Sequence, residues 1–126
     1  MALADALSSA EARRLLGQFP VEGATIHNSF GVCVWAAGPD VDALGGAGRF
    51  LGDQGHDLFH PDDEEIALRH HEQLLDVGRG RIRQRLQAAD GMYRWCVITS
   101  RVVHDGAKHW ILSHVRLDEG LEDYTT

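Results

Sequence analysis

Eight histidines in 126 residues are the groups with the most chemical scope in this sequence. His56 and His60 stand four apart, with Asp57, Asp62 and Asp63 close by. On a helix that spacing sets two imidazoles on one face, as zinc sites often require. No His-Glu-x-x-His run follows, however, and Pro61 interrupts any helix that continues through His60. The carboxylates have a sufficient use as partners of a helix N-terminus, so no metal site is expected. The run "RHHEQ" (69–73) shares its residue types with di-iron helices, but those need a four-helix bundle, which the strand-like runs downstream exclude. The glycines of "GGAGRFLG" (45–52) match neither phosphate-loop pattern, since no Gly-Lys-Ser/Thr follows and the third glycine is displaced by one. They read as a loop.

The elements that would position these residues follow from periodicity. Residues 3–19 are rich in helix formers, and Ser8 with Glu11 three positions on has the form of a capping box. Leu3, Ala6, Leu7 and Ala10 suggest an earlier start, and the boundary stays open. Gly17 and Pro20 close the helix. In "TIHNSFGVCVWAAG" (25–38), Phe30, Val32, Val34 and Ala36 alternate with Gly31, Cys33 and Trp35, a strand apolar on both faces. The stretch 39–55 is turn-rich and is expected to hold a short second strand and a helical turn. "HPDDEEIALRHHEQLLDVG" (60–78) is the clearest helix: Pro61 suits a first turn, four acidic residues meet the positive end of the dipole, and Gly78 stops it. Strands at 81–88, 92–103 and 108–117 follow, joined at Asp90-Gly91 and Asp105-Gly106, both hairpin signals of the primed-turn type. A helix followed by an antiparallel meander makes an α+β domain.

Bulk properties set the remaining limits. The length fits one domain. Hydrophobic residues at 44% and charged residues at 25% are ordinary for a soluble globular chain. A net charge of −7 argues against nucleic-acid or anionic-membrane binding. The local exception is "RGRIRQR" (79–85), whose four arginines alternate onto one face and would suit solvent or an acidic partner surface. Cys33 and Cys96 each sit in an apolar run and are read as reduced, buried side chains of a cytoplasmic protein. No apolar leader segment and no run of about 18 apolar residues is present, so no membrane span is expected.

With these elements in place, "LFHPDDEE", "LLDVG", "RIRQRLQAADGMYRW" and "VVHDGAKHWIL", in that order and spacing, resemble a PAS domain. They are most similar to the subtype with a His-Pro-Asp-Asp box and an Asp-Gly-x-Tyr-Arg-Trp hairpin. The resemblance runs over roughly 58–112. It implies a curved five-stranded antiparallel sheet with one long helix, 60–78, across it. Residues 30–37 would be the first strand and 81–117 the last three. Residues 1–20 would form a flanking helix, 21–118 the PAS-like domain and 119–126 a tail. The segment from Gly38 to His60 is short for the family, which implies a small, open or absent cavity. The family's closing Asp-Ile/Leu-Thr box is reduced here to Asp118 followed by Glu119 and Gly120. The implied role is sensing and relay: a small molecule, or a partner protein, shifts the arrangement of sheet and flanking segments, and a separate effector protein receives the change.

On the helical wheel Ile66, Ala67, Leu74 and Val77 cluster, with His70 inside their arc and His71 at its flank. Gln84 lies between Ile82 and Leu86 on the face opposite the arginines, and Trp95 can cover Leu86 or Leu112. His114 shares a face with Trp110 and Leu112. The expected lining of the sheet–helix space is therefore His70, Leu74, Gln84, Trp95, Leu112 and His114. The cofactor is left unnamed. Haem is disfavoured, since haem-binding relatives place their histidine near Ala67, a turn earlier. The N-terminal helix is expected to pack on the sheet or on a second subunit, giving a homodimer. The rival readings are a ligand-free protein–protein adaptor and a small enzyme of the ketosteroid-isomerase-like kind. The enzyme would need a buried base, yet no Asp or Glu falls on an inward strand face, and no catalytic residue is expected.

Overall fold

A computed structural model describes residues 7–17, 23–52 and 58–118. Helix α1 runs Ser9–Leu16, and its start is settled by a complete capping box: Glu11 N–H donates to the Ser8 hydroxyl, and the Glu11 carboxylate accepts from the Ser8 N–H. Gly17 N–H closes it on the Arg13 carbonyl. The outer parts of the expected 3–19 helix, residues 3–6 and 18–19, and Pro20 with them, lie outside the described residues.

The chain from 24 to 37 corrects the sequence reading. It is two strands, β1 (Ala24–His27) and β2 (Cys33–Ala37), paired antiparallel. The Asn28 carboxamide oxygen accepts from both Phe30 N–H and Val32 N–H, and Gly31 takes φ 79°, so the chain turns where continuous apolar alternation predicts a straight strand. The second strand therefore precedes position 38. Residues 39–50 form two short helices instead, α2 (Pro39–Ala43) and α3 (Ala47–Phe50).

A 3₁₀ turn, Pro61–Asp63, leads into α4 (Glu64–Val77), which Gly78 ends. Strands β3 (Arg79–Gln87), β4 (Tyr93–Asp105) and β5 (Lys108–Leu117) complete a five-stranded antiparallel sheet in the order β2-β1-β5-β4-β3. The Asp105-Gly106 signal gives a two-residue hairpin, Asp105 facing Lys108. The Asp90-Gly91 hairpin is longer than expected: Gln87 faces Tyr93, with 88–92 between them. The Asp90 carboxylate caps that loop by accepting from Met92 N–H.

Both faces of the sheet are covered. On one, Ala12, Leu15 and Leu16 of α1 pack on Ile26, Val34 and Leu112. On the other, Val41, Leu44, Phe50 and Leu58 pack on Cys33, Leu86, Cys96 and Val115. Helix α4 lies over that second face against β3, and a cavity separates part of it from the strands. No helix among the described residues is long and apolar enough to cross a membrane.

Candidate functional site

The sheet–helix cavity has a volume of about 430 Å³, within the range of small-molecule sites. Its floor comes from alternate residues of four strands. Register places Thr25 beside Ser113, Ser113 beside Ser100, and Ser100 beside Gly80, a row running straight across β1, β5, β4 and β3. The next row on this face holds Val115, Ile98 and Ile82, and the one beyond it Cys96 and Gln84. Ala67, His70 and Leu74 of α4 form the roof, and Phe50, Leu58 and Phe59 close one end. Phe50, Leu58 and Phe59 of the short 38–60 segment thus help wall a cavity.

His70 owes its place to Gly80. A Cβ on Gly80 would stand 3.1 Å from His70 Cε1 and Nδ1, so any side chain there would push the imidazole back by a few tenths of an ångström. Both ring nitrogens are buried and have no partner among the described residues. Burial, reinforced by neighbouring His71, holds its pKa below the usual histidine value. His27, at the cavity edge of β1, is pushed down to about 4 by burial alone. Ser100 and Ser113 hydroxyls pair at 2.7 Å. Thr25 Oγ1 and Gln84 Nε2 are also without partners, on side chains only 2% and 1% exposed. A buried polar atom left unsatisfied costs about 1–3 kcal/mol, and four such atoms border this one cavity.

Of the six residues expected to line this space, His70, Leu74 and Gln84 do so. Trp95, Leu112 and His114 do not, and each is corrected by one residue of register parity. Trp95 faces Arg85, not Leu86, across β3–β4. Leu112 is buried beneath α1 on the far side, and His114, two residues along, shares its side and faces Ala24 and Thr99. Ile66 and Val77 were expected to turn inward with His70, yet they stand 47% and 58% exposed. Thr25, His27, Ser100 and Ser113 were missed. The available signal was a set of small polar residues at alternate positions within apolar strands.

On the outer face a second constellation ties the His-Pro-Asp-Asp box to the hairpin. Asp63 receives Arg85 through Nη2 at 2.7 Å and Nε at 3.1 Å, and accepts from Arg85 N–H at 2.7 Å. Burial works against the Asp63 carboxylate, but these bonds prevail and lower its pKa; the pairing raises that of Arg85. Trp95 lies between two guanidinium groups, Arg83 at 4.1 Å and Arg85 at 4.7 Å from its centroid. Arg83 Nε donates to buried Asp118 at 2.9 Å. The Tyr93 ring meets His60 edge-on at 4.6 Å. Tyr93 thus meets the helix entry directly, and Trp95 reaches it through Arg85. Arg83 and Arg85, read from the sequence as a solvated or partner-facing row, are engaged by carboxylates of their own chain.

The buried carboxylates Asp63 and Asp118 are ion-paired on the outer face and do not line the cavity. Among the described residues no group of three metal-ligating side chains converges; His56 and Asp57, from the sequence pattern considered for zinc, lie outside the described residues.

Comparison with known proteins agrees with this architecture. The wild-type Cycle PAS-B domain of Drosophila melanogaster, with bound ethylene glycol, superposes with a TM-score of 0.66 at 14% identity, over 76% of this chain and 99% of that one. The N-terminal domain of a diguanylate cyclase with PAS/PAC sensor from Marinobacter aquaeolei gives 0.67 at 19% identity, over 79% and 97%. A sensory box histidine kinase/response regulator from Burkholderia thailandensis gives 0.66 at 16% identity, over 89% and 88%. No curated protein matches the sequence. The sequence model described as the PAS fold matches residues 46–113, more than half of the chain. With its helix-over-sheet geometry and that match, the chain belongs to the PAS fold family.

Proposed function

We propose that this chain is a sensory module of the PAS subtype with the His-Pro-Asp-Asp box, and that its input is a small molecule held between sheet and α4. The observation that carries the reading is the cavity of about 430 Å³ into which buried, unpartnered Thr25 and Gln84 project. His70, Leu74 and Gln84 are its ligand-contacting residues, with Thr25, Ser100 and Ser113 added. The change passes to a separate effector protein, and the expected compartment is the cytoplasm. Haem does not suit the site, because the described lining residues include no Lys or Arg to meet its propionates. The test is native mass spectrometry with an absorption spectrum of the purified chain. A non-covalent adduct of small-molecule mass, without a Soret band, is expected. An adduct-free chain overturns the ligand reading, and a Soret band overturns the exclusion of haem.

A second reading, a protein–protein adaptor or homodimer, is favoured by Leu68 and Leu75. They stand seven residues apart on one stripe of α4, each 60% exposed. Helix α1 is already seated on its own sheet, so a dimer would form on this helix instead. A two-subunit mass in the same spectrum is the result that reading expects.

A further inference from the structure

Apart from exposed Glu64, the polar groups in the cavity are uncharged and lie in order, and this narrows what it can hold. The row Thr25–Ser113–Ser100 is a belt of hydroxyls ending under His70, which lies on Gly80. Hydroxyls and a neutral imidazole both donate and accept, so the belt suits a group that does the same, such as a hydroxyl or an amide. Gln84 stands four residues beyond Gly80 on β3, which sets its amide about 13 Å along the strands from the belt. Between them lie only Ile82, Ile98 and Val115 on the floor, with Leu74 above. Lys and Arg are absent from the described lining, and its carboxylate is Glu64 at the start of α4. A carboxylate or phosphate ligand would be desolvated there with no counter-charge.

We infer that this cavity selects an uncharged, elongated molecule with a hydrogen-bonding group at each end, one held by the Thr25–Ser113–Ser100 belt and His70, the other by the Gln84 amide, with an apolar body between. The inference rests on the ligand reading above and specifies its chemistry. The low pKa values of His27 and His70 agree, since both rings stay neutral at neutral pH.

Decane-1,10-diol, decan-1-ol and decanoate are matched probes, the extended diol spanning the two stations. Calorimetric titration of the full chain is expected to show the diol binding roughly tenfold tighter than the mono-ol, one added hydrogen bond, and decanoate weakest of the three. Gln84→Leu and Thr25→Val should each bring the diol to within about threefold of the mono-ol, since each removes one of the two stations. Thr25 Oγ1 and Gln84 Nε2 bond to nothing among the described residues, so an unchanged or raised melting temperature confirms that both variants fold. Equal binding of diol and mono-ol, or tightest binding of decanoate, overturns the inference and leaves the cavity a ligand site. Failure of all three to bind also overturns it, whereas the ligand reading falls only if the purified chain carries no adduct.

Discussion

Asp63 shows how a single side chain can join two motifs. It is 4% exposed, belongs to the turn that starts α4, and accepts three bonds from Arg85 near the end of β3. Asp63→Asn keeps the shape but strands a guanidinium. A fully buried pair broken this way costs about 3–5 kcal/mol; with the Arg85 side chain 26% exposed, about 2 kcal/mol is the expected loss, read as a lower urea midpoint at unchanged slope. Because the folded pKa of Asp63 lies below its unfolded value near 3.8, its contribution is present above that value and disappears as pH falls through the folded pKa. The side of the sheet a residue occupies was legible for β3, where arginines alternate with Ile82, Gln84 and Leu86. It was not legible for Leu112 or His114, because β5 is apolar toward both α1 and the cavity, and alternation alone does not say which side is which.

At the scale of elements, α1 is a lid on the sheet face opposite the cavity. Its capping box and buried Ala12, Leu15 and Leu16 hold it there, and Leu7 N–H bonds to the Val34 carbonyl of edge strand β2. Ser8→Ala removes the N-cap acceptor, and a loss of about 1 kcal/mol is expected. Amide exchange should speed up in the first turn of α1 while β4 and β5 keep their protection, since an N-cap acts locally. Helix α4 and strands β3–β5 were legible from long, well-bounded periodic runs. The β1–β2 hairpin was not, because its turn depends on one Asn side chain within an apolar run, and its two strands have only four and five residues.

At the scale of the whole molecule, the cavity costs the fold something in acid. The folded pKa of His27 is about 4 against 6.5 for a histidine in water. Between those values the unfolded chain binds the extra proton, so stability falls as pH drops from 6.5 toward 4, by up to about 3 kcal/mol. His70, lowered by burial and by His71, acts in the same direction. A urea midpoint that declines across this window, and declines less in His27→Gln, is the expected result; Asp63 adds its own loss only below it. The sequence by itself determined the α+β class, the long helix, the three-strand meander and the motif order that marks the family, because these are written in local periodicity, caps and turns. Tertiary structure alone decided the sheet order β2-β1-β5-β4-β3, which side Trp95, Leu112 and His114 take, and that Thr25, Ser113 and Ser100 meet in one row beneath His70. Strand register and the identity of the covered face are set by contacts between residues up to 90 positions apart, Ala24 and His114, and no local pattern encodes such a pairing.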